Sequence, residues 1–156
     1  SESTSDLLKL SSDPIERVRT AVIEHLPYVE DERVFNVLTH ALKEETPNVR
    51  AAAARALGNV DAPETVDHLV QALADEDVWV RYFSARALGR RRSEESIDAL
   101  ERVVAGEKFN HVRIAALDSL GQIGGRRSAA IAAGLVRDDD PDVARAAQAT
   151  LEKSRQ

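Results

Sequence analysis

The chain has 156 residues, enough for one ordinary domain, and is 43% hydrophobic but only 4% aromatic, so its core must be drawn from small aliphatic side chains that suit closely stacked helices. It contains no Cys and no Met, which excludes a disulfide scaffold, a thiolate metal site and a cysteine nucleophile. A formal charge of −6 favours solubility and argues against a general polyanion-binding surface, and no apolar run approaches the ~20 residues that span a bilayer.

Taken in chain order, the first element is a partial helical pattern with Leu7, Leu8 and Leu10. The opening Ser1-Glu2-Ser3-Thr4-Ser5-Asp6 lacks the basic and apolar regions of a secretory leader, so a cytoplasmic location is expected. Asp13-Pro14 then starts a helix that carries Val18-Arg19. This start lies two residues early relative to later units and predicts a longer helix there.

Val-Arg recurs at Val49-Arg50, Val80-Arg81 and Val112-Arg113, at intervals of 31, 31 and 32 residues, and Val143-Ala144 follows after another 31. A Leu sits eight residues after each of these valines, at Leu26, Leu57, Leu88, Leu120 and Leu151. Self-similarity at this period predicts a stacked array in which each unit holds two helices. Helix A is expected over 32–43, 63–74, 94–105 and 126–137. Its apolar stripe runs through Phe35, Leu38 and Leu42, then Val66, Leu69 and Leu73, then Ile97, Leu100 and Val104, then Ala129, Ala132 and Val136. Helix B carries Val-Arg, with small residues behind it such as Ala52-Ala53 and Ala115-Ala116. Gly58, Gly89 and Gly121 follow the Leu, the place of a helix C-terminal glycine. Thr46-Pro47 and Asp140-Pro141 are further helix-B starts. Segment 105–111 holds the one extra residue and predicts a longer or kinked turn. An acid precedes each arginine by six residues, at Asp13, Glu44, Asp75 and Glu107, and Asp138 holds that place before Ala144. Two ladders at one period predict repeated ion pairs within or between units, a framework rather than an ion-binding rail.

The pattern of an acid, five residues, Val-Arg, Ala and Leu-Gly resembles HEAT repeats, and more narrowly the short HEAT-like repeats of phycobilisome lyase subunits. The resemblance covers roughly residues 7–152. It implies an all-α fold, a right-handed α-solenoid of about five helix pairs. Residues 1–156 would form one domain, with units near 7–29, 30–60, 61–91, 92–123 and 124–154. It also implies that helix B lines the concave surface and helix A the convex one.

On that surface the third unit breaks the small-residue rule. Trp79, Tyr82, Phe83 and Arg86 share one helix face, where neighbouring units place Ala51, Ala52 or Ala115. Trp, Tyr and Arg are the types enriched in binding hot spots. The expected partner site is therefore Trp79, Tyr82, Phe83 and Arg86, adjoined by Arg90 and flanked by Arg55, His111 and Ile114. Charge is sorted by edge: acids fill the A-to-B turns (Asp75-Glu76-Asp77, Asp138-Asp139-Asp140), and arginines fill the B-to-A turns (Arg90-Arg91-Arg92, Arg126-Arg127). Helix-dipole complementarity accounts for most of this sorting, and the surplus at 90–92 suits an acidic partner.

Catalytic motifs do not emerge. The histidines His25, His40, His68 and His111 occupy unrelated repeat positions, with no metal-ligand spacing and no His-Glu dipeptide of the kind some HEAT-type enzymes use for iron. The Asp138–Asp142 acid run lacks the glycine and distal glutamate of a calcium loop. Gly121-Gln122-Ile123-Gly124-Gly125 follows a helix rather than a strand, unlike a phosphate loop. No catalytic residue, metal or cofactor is expected. The function expected is a monomeric, non-catalytic scaffold for a protein or peptide partner, with no membrane role. Two alternatives follow from the resemblance, a nucleic-acid-binding HEAT-like protein and a chromophore-lyase-like subunit. The acidic charge disfavours the first, since backbone binding needs a continuous basic track.

Overall fold

Apolar residues spaced three and four apart become helices throughout the computed structural model, which describes residues 2–156 and contains ten α-helices and no strand among them. The helix-A positions are α1 (Glu2–Lys9), α3 (Arg33–Ala41), α5 (Thr65–Ala72), α7 (Ile97–Gly106) and α9 (Gly125–Ala133). The helix-B positions alternate with them: α2 (Glu16–His25), α4 (Pro47–Leu57), α6 (Val78–Arg91), α8 (Asn110–Ile123) and α10 (Pro141–Ser154). Contacts divide the chain into a first unit, Ser1–Ser84, and a second, Ala85–Gln156, with the division inside α6.

The repeated residues form the cores of both units. Val49, Val80, Val112 and Val143 are fully buried, as are Leu26, Leu57, Leu88 and Leu120. Leu38, Leu69, Leu100 and Ala132 are buried likewise as the centre of each helix-A stripe. The outer positions of two stripes depart. In the first, Val34 is buried while Phe35 is half-buried and packs edge-to-face on His68, with ring centres 5.7 Å apart; in the fourth, Ala129 and Val136 are half-buried.

Three local expectations are corrected. Gly89 and Gly121 do not end their helices, because α6 continues to Arg91 and α8 to Ile123. The left-handed residues that end them come three positions later, at Arg92 (φ 49°) and Gly124 (φ 75°). Gly89 is small for packing instead: a Cβ there would lie 2.5 Å from Ser119 Oγ and 2.8 Å from Ser119 Cα. Next, α2 is not lengthened by Asp13-Pro14. It starts at Glu16, and Asp13 Oδ1 accepts from the Ile15 N–H at 2.8 Å in a turn before the helix. Finally, segment 105–111 forms no long turn. Helix α7 takes up the extra residue by running to Gly106, and only 107–109 separate it from α8. Glu107 Oε1 accepts from the N–H groups of Lys108 (3.0 Å) and Phe109 (3.2 Å) there.

The two charge ladders interlock. Arg19 bonds the Asp13 carbonyl, six residues back, and the Glu44 carboxylate, 25 residues ahead. Arg50 bonds the carbonyls of Glu44 and Glu45 and the carboxylate of Asp75. Arg113 reaches the Asp138 carboxylate in the same way, but its backbone partner is the Val104 carbonyl, because the extra residue displaces Glu107. Arg19 and Arg50 thus close their own A-to-B turns, and all three tie to the next acid of the ladder. Burial and charge assistance make such bonds stronger than exposed pairs.

Candidate functional site

The aromatic residues that break the repeat form one wall of a groove in the first unit. Asp77 caps α6, its Oδ1 accepting from the N–H groups of Trp79 (2.9 Å) and Val80 (3.1 Å), which sets where the wall begins. Trp79 remains 52% exposed and Phe83 is half-buried, their rings 6.4 Å apart. Tyr82 packs edge-to-face on both, with ring centres 5.5 Å from Trp79 and 5.1 Å from Phe83. Such contacts hold the wall in one shape and contribute about 0.5–1.5 kcal/mol each.

Across from the wall, α2 supplies Glu16, Arg17, Thr20, Ala21 and Glu24, and α4 forms the floor with Asn48, Ala51, Ala52 and Arg55. The groove has a volume of about 460 Å³. Alanines make it: at the positions where α6 carries Tyr82 and Phe83, α4 carries Ala51 and Ala52, which leave the space open. Two polar links cross from α2 to α4. Asn48 Nδ2 donates to Glu16 at 2.7 Å, and Arg55 donates to Glu24 at 3.2 Å. The Arg55 guanidinium also lies 5.6 Å from the centre of the Phe83 ring, a cation–π contact.

Of the residues expected to bind a partner, Trp79, Phe83 and Arg55 line this groove and Tyr82 buttresses two of them. Arg86, Arg90, His111 and Ile114 belong to the second unit and are not among the lining residues. There Arg86 and Arg90 are exposed, and His111 and Ile114 are half-buried. His111 meets the exposed Phe109 ring at 5.9 Å. Desolvation pushes the pKa of Asp118 up, and the nearby charges of Arg86 and Lys153 oppose the rise. Arg127 is held by Asp98 and Glu101.

Sequence reasoning did not single out Glu16 or the α2 wall, although 16, 20 and 24 share a helix face at a spacing of four. It also passed over a second cavity, of about 340 Å³, above Ile23, Val37 and Ala41. Its signal was legible in the register, because Ser11 stands where the next units place Leu42, Leu73 and Val104.

The units differ sharply in charge. The first holds 8 Lys and Arg against 16 Asp and Glu, a formal −8, and the second holds 13 against 11, a formal +2. No helix is long and apolar enough to cross a membrane among the described residues.

Comparison with known proteins places this geometry in a family. No curated protein matches the chain significantly. Among solved structures it resembles the complex of CpcE and CpcF of phycocyanin lyase from Nostoc sp. PCC7120, with 21% identity and a TM-score of 0.82 over 95% of this chain and 63% of that one. Human deoxyhypusine hydroxylase in complex with glycerol is similar at 20% identity and a TM-score of 0.71, over 99% of this chain and 62% of that one. A designed armadillo repeat protein in complex with the peptide (KR)4 is similar at 18% identity and a TM-score of 0.66, over 95% and 80% of the two chains. The chain spans less than two thirds of the length of the first two. These likenesses establish the fold class, an all-α helical-repeat solenoid. A family model described as HEAT repeats matches residues 4–81 and 66–152, and the chain belongs to the HEAT-repeat family.

Proposed function

We propose that the chain is a non-catalytic scaffold that binds a protein or peptide partner in the helix-B groove of its first unit. The observation that carries this reading is the exposed Trp79 beside Phe83 above a floor of Ala51 and Ala52. A surface aromatic wall over an open floor offers a large apolar contact at low entropic cost, the makings of a hot spot. The HEAT-repeat fold supports the reading, since stacked repeats present extended binding surfaces. Within the second unit, Arg86, Arg90, His111 and Ile114 are candidates for a contact of their own, where the surplus of arginine suits an acidic segment.

Affinity capture from native lysate tests it, with wild type and a Trp79→Ala, Phe83→Ala double variant side by side. A partner held by wild type should be lost from the variant, with affinity lower by about thirtyfold. Equal recovery on both would end the reading. A second reading, a chromophore-lyase-like subunit, is favoured by the likeness to CpcE and CpcF. It predicts an absorbance shift when a bilin is added to the purified chain.

A further inference from the structure

The groove of the first unit repeats one arrangement at its two ends, and α4 supplies a cation at only one of them. At the α6 Phe83 end, Arg55 stands between an acid and a ring: it donates to Glu24 at 3.2 Å and lies 5.6 Å from the centre of Phe83. At the other end α2 again supplies an acid, Glu16, and α6 again supplies a ring, Trp79. The acids are two helical turns apart, as are the two α4 residues, and the rings are one turn apart. The α4 residue at this second end is Asn48, a neutral amide, which donates to Glu16 at 2.7 Å. A carboxylate has about four acceptor sites, so one such bond leaves Glu16 able to accept more.

We propose that this end of the groove takes a Lys or Arg side chain from an extended peptide. The incoming cation would do there what Arg55 does at the other end. Its charge would meet Glu16 and the face of Trp79, the best aromatic partner for a cation. Its alkyl stem would lie on Ala51 and Ala52, as long basic side chains do on apolar surface. The formal −8 of the first unit draws a cation toward the groove. Exposed Arg17 lines the same groove and opposes this. A basic partner here is compatible with an acidic one at the arginines of the second unit. The inference rests on the peptide-binding reading above.

Trp79 is the chain's only tryptophan, so its emission reports directly on the groove. The full chain is titrated, up to millimolar concentration, with blocked pentapeptides Ser-Ala-X-Ala-Ser in which X is Arg, Glu or Leu. The Arg peptide should shift the emission saturably. Glu16→Gln and Asn48→Arg, the second placing a tethered cation in the site, should each weaken it by about tenfold. Arg17→Gln should tighten it several-fold. Glu or Leu peptides binding as well as Arg would overturn the inference and leave the groove a peptide site. So would Arg binding that neither Glu16→Gln nor Asn48→Arg weakens. No saturable shift with any peptide would remove both readings.

Discussion

Arg50 holds the Asp75 carboxylate through two N–H···O bonds, of 3.0 and 3.1 Å, while its remaining guanidinium nitrogen donates to the carbonyls of Glu44 and Glu45. One side chain, 7% exposed, therefore satisfies four acceptors in two successive turns. Arg50→Ala strands a half-buried carboxylate and two carbonyls and should cost about 2–3 kcal/mol. Urea unfolding checks this against Arg33→Ala. Arg33 is an exposed partner of Asp31, so its loss should cost less.

The two Leu-Gly pairs of the second unit should respond in opposite directions. Ser119 Oγ donates to the Ala85 carbonyl at 2.6 Å and draws α8 against Gly89. Gly89→Ala drives a methyl into the Ser119 backbone and should destabilise by about 1–3 kcal/mol. At Gly121 the nearest atom to an added Cβ is Lys153 Cδ, at an ordinary 3.5 Å, and the backbone is helical. Gly121→Ala should be neutral or stabilise by up to about 1 kcal/mol through helix propensity. Thermal melts of the two variants provide the comparison.

Acid should reveal two carboxylates of opposite sign. Hydrogen bonds from Arg113 and from the Asp140 N–H lower the pKa of Asp138 below its ordinary value of 3.8. Its contribution is therefore complete above the unfolded pKa and is lost as pH falls through the lower folded one. Asp138→Asn should be less stable than wild type at neutral pH, and the gap should close as pH falls below the ordinary 3.8 and through the lower folded pKa. Asp118 is shifted upward by desolvation, so its ionised form burdens the fold once pH exceeds the folded pKa. Asp118→Asn should be the more stable protein at neutral pH and lose that advantage in acid. Denaturant midpoints across pH 2–7 read both, and parallel profiles for the two variants would contradict the assignment.

The cavity beside Ser11 should accept the side chain that the repeat places elsewhere. Ser11 Oγ bonds only the local Leu8 carbonyl, at 2.6 Å, above Ile23, Val37 and Ala41. Ser11→Leu should raise stability by about 1 kcal/mol through apolar burial. A loss measured by urea unfolding would show that Ser11 does not occupy the Leu42 register.

Much of this architecture could be read without coordinates because the physics behind it is local and repeated. Helical spacing, the valine and leucine at each interval, and the pairing of acid with arginine all recur at one period. Each copy corroborates the others. Asp140 shows the same at one residue: read as a cap from Asp-Pro, it accepts from the N–H groups of Asp142 and Val143 at 3.0 Å each. One misread feature depends on distance between elements. Gly89 looks like a helix end by its position after Leu, but only the approach of Ser119 shows that it is a packing glycine.

The same division runs through the candidate site. Repeat register was enough to mark Trp79, Tyr82 and Phe83 as departures from small neighbours, since that comparison needs only alignment of one unit with the next. Whether they form a surface was a matter for tertiary structure. It packs the three rings together, opposes them to Glu16 and Glu24 across an alanine floor, and assigns Arg86, Arg90, His111 and Ile114 to the second unit. Sequence by itself determined the period, the helices and the residues that break the pattern, because these follow from side-chain spacing along one chain. Only the folded chain decided which of those residues share a groove and which acid faces which ring, because these depend on how closely separate helices approach.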